Sequence, residues 1–164
     1  MLDGLKPVAE QLAFNASLFD LAIGDLTSAE ARVQYVEGVP TIHWLAAHLV
    51  TARHHMLHLL RKSTSLPWEG RYETSVDVAL QESVTNERIV AEWNRVSPVL
   101  LSVLATADQK LLRTAPPSPF PTVEQTTQAA VAFLANHEAY HIGQISLLRR
   151  AAGKMPLVET LLAQ

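Results

Sequence analysis

Cysteine is absent from this 164-residue chain. That removes disulfide frameworks, thiolate-ligated zinc and thiol nucleophiles together, and it fits a reducing compartment. Any chemistry must therefore rest on histidine, carboxylates or hydroxyls. Charge is also sparse: 18% of residues are charged, and 13 Lys and Arg against 16 Asp and Glu give a formal charge of −3. No stretch gathers the cations into a stripe that could neutralise phosphates, so nucleic acid is not an expected partner. Long apolar runs are missing too. The most apolar stretch, residues 96–107, is shorter than the ~20 residues of a membrane span and is interrupted by Ser97 and Pro98. The opening MLDGLKPVAE has an early acid and no basic region before an apolar run, so no secretory leader is expected and a cytoplasmic location is.

What is present is a core. Hydrophobic residues make up 48% of the chain, and a domain of this size buries roughly 70% of its unfolded surface. One domain spanning residues 1–164 is expected. Four segments have helical periodicity and none alternates as a strand does. Leu5, Val8, Leu12, Phe19, Ala22 and Leu26 form the first stripe, with Pro7 tolerated in the first turn and Asn15 expected as a single buried amide with a backbone partner. The second helix starts at Thr41 as an N-cap and runs to about Lys62, with Leu45, Leu49, Ala52, Met56 and Leu59 inward. Thr74-Ser75-Val76-Asp77 resembles a capping box and opens the third, which continues through Val84, Trp93 and Val96 towards Ala107, with Pro98 expected to bend or break it. The fourth follows the proline-rich loop 116–121, with Thr122 and Gln125 as its capping box, and ends where Gly153 follows Arg149 and Arg150. At 1.5 Å per residue its thirty or so residues make it roughly 45 Å long. Residues 28–32 suit a short extra helix. Four amphipathic helices with long connections predict an all-α four-helix bundle with room for a crossover.

Seven histidines are distributed over two of these helices. On the fourth, Ala130, Leu134, His137, His141, Ile145 and Leu148 share one stripe. Two imidazoles four residues apart on a buried face lie one above the other and can aim at one point. On the second helix His48 flanks the apolar stripe, and His55, one heptad on, is a possible pocket residue. His43, His54 and His58 fall on the opposite side and are expected to be solvated. Core imidazoles satisfied by hydroxyls or carbonyls are the alternative for His137 and His141, but several buried ring nitrogens would then need partners. His48, His137 and His141 are accordingly the expected ligands of a divalent metal. Three neutral imidazoles with an open position suit zinc, and nickel or iron accept the same set.

His137-Glu138-Ala139-Tyr140-His141 also matches HExxH, the zinc peptidase signature in which the glutamate activates water. No histidine follows His141, so Glu159 would have to serve as a distant third ligand, and no strand is available to align a peptide. Beside the site, Glu138 is a candidate base or support for a ligand, with a solvated salt bridge as the alternative, and Gln144 is a candidate for orienting a ligand or substrate. Tyr140, Trp44 and Trp93 are assigned to packing or an interface, and Arg149 and Arg150 suit the negative end of the helix dipole.

Thr41-Ile42-His43-Trp44-Leu45-Ala46-Ala47-His48-Leu49, followed by His137-Glu138-Ala139-Tyr140-His141-Ile142-Gly143-Gln144 and Leu147-Leu148-Arg149-Arg150, resembles the DinB-like superfamily. The resemblance covers essentially the whole chain. It implies a metal-binding four-helix bundle, commonly a homodimer, with one histidine on the second helix and two on the fourth as ligands, matching His48, His137 and His141. For activity it implies a metal-dependent small-molecule transferase that uses a low-molecular-weight thiol, the metal lowering the thiol's pKa. Two other expectations are kept open: an HExxH-type peptidase or hydrolase, and a non-catalytic dimeric stress-response or binding protein with a structural metal.

Overall fold

The computed structural model describes residues 3–65, 68, 72 and 84–163. A 3-10 turn, Asp3–Leu5, leads into α1 (Lys6–Ile23), followed by α2 (Ser28–Arg32), α3 (Ile42–Leu59), α4 (Asn86–Ala105), α5 (Gln109–Leu112), α6 (Thr127–Ala151) and α7 (Leu157–Leu162). No strand occurs among the described residues, and no described helix is long and apolar enough to cross a membrane.

Local chemistry fixes the ends. Pro7 sits in the first turn of α1, where its missing N–H is no loss. Thr27 and Glu30 close a capping box on α2, so the short helix expected there forms. Thr41 caps α3 by accepting from the Trp44 N–H at 3.1 Å. At the far end of α6, Gly153 takes φ 74°, the Lys154 N–H reaches the Arg149 carbonyl and the Gly153 N–H reaches that of Arg150. This is a Schellman turn, for which glycine is the unstrained choice.

Helix boundaries differ from expectation in places: the third long helix does not run through Val84 but begins at Asn86, with Thr85 as its cap accepting from the Arg88 N–H. The cap of α6 is Thr126, not Thr122, and the helix has 25 residues, about 37 Å. Gln125 instead closes the proline-rich loop, its side chain bonding to both the N–H and the carbonyl of Phe120. Pro98 does not break α4; it lies on the exposed face, where the helix carries it without interruption. The capping box proposed at residues 74–77 lies outside the described residues.

The four long helices touch in a closed ring, α1 against α6, α6 against α3, α3 against α4, and α4 against α1. Their directions follow from who meets whom. Asn15 donates to the Ala135 carbonyl and Arg149 to that of Ala22, so α1 and α6 run parallel. Leu45 and Leu49 share one apolar cluster with Phe19, Ile89, Ile142 and Ile145. Met56 and Leu57 share a second with Leu12, Leu100, Val131 and Leu134. Thus α3 and α4 are parallel to each other and antiparallel to α1 and α6. The start of α4 therefore lies at the same end of the bundle as the start of α3, as a crossover topology requires.

Between the two apolar clusters lies a polar layer built on Arg53. Its guanidinium donates through Nε and Nη2 to both carboxylate oxygens of Glu138 at 2.8 Å, and through Nη2 to the Leu12 carbonyl at 2.9 Å. It also lies 3.6 Å from the centre of the Trp93 ring, which stacks on Phe19. One side chain of α3 therefore touches α1, α4 and α6. Arg53 and Glu138 are both fully buried. Asn15 joins this layer as the buried amide expected, bonded to a backbone carbonyl.

Candidate metal centre

His48 lies midway along α3, and His137 and His141 midway along the antiparallel α6. One ring nitrogen from each lies within 4.8 Å of the others. The Nε2 atoms of His48 and His137 are 3.4 Å apart, and those of His141 and His137 are 2.9 Å apart. Trp44, one turn before His48, stacks flat on that imidazole with centroids 4.8 Å apart and planes 11° apart.

The opposite ring nitrogens decide what these Nε2 atoms are. His48 Nδ1 is 2.6 Å from the Tyr72 carbonyl and His141 Nδ1 is 2.6 Å from Gln144 Oε1. Both oxygens only accept, so both Nδ1 atoms carry the proton and both Nε2 atoms present lone pairs to the centre. A single N–H on His137 Nε2 could satisfy one of them and not both. Its own Nδ1 is buried without a partner. A cation among the three Nε2 atoms resolves this conflict, so the donor set fits a divalent metal with room for further ligands.

Electrostatics agrees. Burial, followed by the neighbouring His141 and His48 rings, pushes the pKa of His137 down to about 4. Burial also lowers that of His141, against the hydrogen bond to Gln144. Both rings are neutral near neutral pH, the form a metal requires.

An apolar cavity of about 410 Å³ opens beside His48 and His137. Phe120, Phe133 and Leu134 wall it, and His55 and His58 lie along it. Phe120 belongs to the proline-rich loop and packs edge-on against Phe133 at 5.9 Å. His55 is thus a pocket residue, as its place one heptad from His48 suggested.

Several sequence expectations need correction. His43 and His54 are not solvated; both are fully buried. His43 Nδ1 donates to Asn86 Oδ1 at 3.0 Å, and His54 Nε2 donates to Glu92 Oε1 at 2.7 Å while its Nδ1 accepts from the Thr64 hydroxyl. His58 is half-buried, with Nε2 donating to the Thr64 carbonyl at 2.6 Å. A helical wheel assumes one wet face, but Thr64, Trp68 and Tyr72 cover the outer side of α3. Burial accordingly lowers the pKa of His43 and His54.

Glu138 is not a solvated salt bridge. Its carboxylate is turned into the core against Arg53; burial raises its pKa and the Arg53 hydrogen bonds oppose this. Water activation in the HExxH manner requires a carboxylate free to face the metal, and this one is held elsewhere by both oxygens. Glu159 lies exposed on α7, and no metal-donor group among the described residues includes it. Gln144 bonds His141, so it orients that ring, and its Nε2 donates to the Tyr140 hydroxyl. Arg149 does more than face the helix dipole: it is buried and pairs with Asp25 and the Ala22 carbonyl, tying α6 to the end of α1.

An all-helical bundle with three convergent imidazoles on two antiparallel helices is the class that fold and site define. The chain belongs to the DinB superfamily, whose sequence profile matches residues 11–145. Among curated proteins, none matches the chain.

Proposed function

We propose that this is a single-domain, metal-dependent small-molecule transferase whose second reactant is a low-molecular-weight thiol. The observation that carries the reading is the convergence of two lone-pair nitrogens, fixed by the Tyr72 carbonyl and Gln144, on His137 at the mouth of an apolar cavity. His48, His137 and His141 would hold the metal, zinc or nickel by ligand type. Bound there, a divalent metal supplies acidity to a thiol and a fixed position for its sulfur. The chain's own part is to fix the ring tautomers, to keep the imidazoles neutral and to exclude water from the walls of the cavity. The reducing cytoplasm, where small thiols persist, is the setting we assign.

The test is conjugation of monochlorobimane to cysteine or glutathione, followed by fluorescence of the thioether. The metal-loaded protein should accelerate the reaction above the uncatalysed rate, as an activated nucleophile does, and His48→Ala should return it to that rate. No acceleration with any small thiol, together with strong destabilisation by chelator, would favour the non-catalytic reading with a structural metal.

We also propose a homodimer, as the family membership suggests. Tyr140, Gly143 and Leu147 lie on one exposed face of α6; Tyr140 and Leu147 are 62% and 67% exposed, and nothing approaches within 4 Å of a Cβ built on Gly143. A small residue between two apolar ones lets another helix approach closely. Light scattering after size exclusion should give a dimer for the native protein and a monomer for Leu147→Glu; a native monomer at micromolar concentration would end this proposal.

A further inference from the structure

The two imidazoles that present lone pairs are held differently. His141 takes its Nδ1 partner from Gln144, three residues on in the same helix, so α6 alone places it. His48 takes its partner, the Tyr72 carbonyl, from 24 residues away in the connection that follows α3. The geometry of α3 does not by itself bring that carbonyl within 2.6 Å of a ring nitrogen. The connection has to be fastened to the helix by its side chains.

Two such fastenings are present among the described residues. The Trp68 indole N–H donates to the Ala47 carbonyl at 3.4 Å, and its ring meets that of Tyr72 edge-on at 6.3 Å. The Tyr72 hydroxyl reaches His43 Nε2 at 3.4 Å, and both residues are buried. Tyr72 therefore lies along α3, its hydroxyl at residue 43 and its carbonyl at residue 48, about 7.5 Å apart along the helix axis. The His43 ring is itself fixed. Its Nδ1 donates to Asn86 Oδ1 at 3.0 Å, at the start of α4. A neutral imidazole that gives its one proton there keeps a lone pair on Nε2 for the hydroxyl. Burial, which lowers the pKa of His43, favours that neutral form. A chain of contacts thus runs from Asn86 through His43 and Tyr72 to His48.

We infer that His43 is a positioning residue for the candidate metal centre: it holds the Tyr72 ring on α3, and through the Tyr72 carbonyl it sets His48 in the tautomer whose Nε2 lone pair faces His137. This rests on the reading of the triad as a metal site and assigns to it a support that lies outside it. Which imidazole nitrogen can bind a metal is set by the hydrogen bond that the other one makes. Without the fastening, His48 is free to carry its proton on Nε2, the form that cannot accept a metal there.

Two readings on one set of variants test this. Tyr72→Phe removes only the hydroxyl, and His43→Phe removes its acceptor while keeping a ring in the core. In metal-free protein labelled with heavy nitrogen, long-range proton–nitrogen spectra should show native His48 protonated at Nδ1, and both variants should populate the Nε2–H tautomer. Zinc affinity, measured by competition with a chromophoric chelator, should fall by about 10-fold or more in each, the lower range when a partner of a metal ligand is lost. The double variant should bind zinc no more weakly than His43→Phe, since both changes break one contact. His43→Gln, whose amide oxygen can accept from the hydroxyl, should recover most of the affinity. Leu104→Ala, in the last turn of α4, should lower stability and leave both readings native. The inference falls if Tyr72→Phe and His43→Phe bind zinc as tightly as the native protein, or if His48 keeps the native tautomer in both. Should His43→Phe fail to fold, Tyr72→Phe decides by itself. A native protein that binds no zinc would remove the metal reading, and the tautomers of the metal-free proteins would then decide whether His43 holds His48.

Discussion

Glu138→Gln is expected to cost about 3–5 kcal/mol of folding stability, because it leaves the Arg53 guanidinium buried opposite a neutral amide. In a domain of this size that lowers the melting temperature by roughly 6–20 °C. The origin is geometric. Both side chains are fully buried, and Arg53 spends its Nε and Nη2 on the Glu138 carboxylate and the Leu12 carbonyl while its face rests on Trp93. Removing one partner exposes the desolvation cost of the other. Removing both should not: Arg53→Met with Glu138→Leu is expected to recover most of the loss, since apolar replacement of a buried pair is often neutral or favourable. Urea denaturation of the two single variants and the double variant provides the cycle. A loss below about 0.5 kcal/mol for Glu138→Gln, the level of an ordinary surface change, would show that the pair is not a central tie of the bundle. The same variant separates two roles for this residue. A general base would lose activity with stability intact, whereas a buried anchor loses stability with the metal retained.

The second large effect concerns the metal. Native protein purified without a histidine tag should carry near one divalent metal per chain by mass spectrometry, and His137→Ala should carry none. His137 is the better probe because its Nε2 lies within 3.4 Å of His48 and 2.9 Å of His141, so its loss removes the central member. With free metal at 100 to 1,000 times its Kd, binding stabilises the fold by about 2.7–4.1 kcal/mol, so chelation should lower the melting temperature by roughly 5–16 °C. The His137→Ala protein should not respond to chelator. Metal retained by the Ala variants at positions 48, 137 and 141 alike would mean that the triad is not the site.

The two histidines on α6 were legible because that helix has one apolar stripe, and Ala130, Leu134, Ile145 and Leu148 place them on it. The helical elements and their caps at Thr41 and Gly153 were legible for the same local reason. What stayed hidden was non-local. Tyr72, whose carbonyl fixes the His48 ring, is 24 residues away along the chain, and Arg53 meets Glu138 across 85 residues. No periodicity encodes such pairings. The error at His43 and His54 has one cause: α3 is wrapped on all sides, so its wheel had no wet face to which charge or imidazole could be assigned. An arginine within so apolar a helix was the available signal for Arg53, since a buried guanidinium requires a carboxylate from elsewhere in the fold.

The order of helices around the ring also bears on how the protein matures. The first helix packs beside the last long one, and the triad joins residues 89 positions apart. At about 5–20 residues per second, translation delivers His137 roughly 4–18 s after His48. During that interval α3, most of whose residues are buried in the finished fold, has neither its α6 neighbour nor the two imidazoles that complete the triad. The nascent chain presents one of the triad's three histidines and an apolar helix without its α6 neighbour. Assembly of the triad is therefore tied to completion of the bundle.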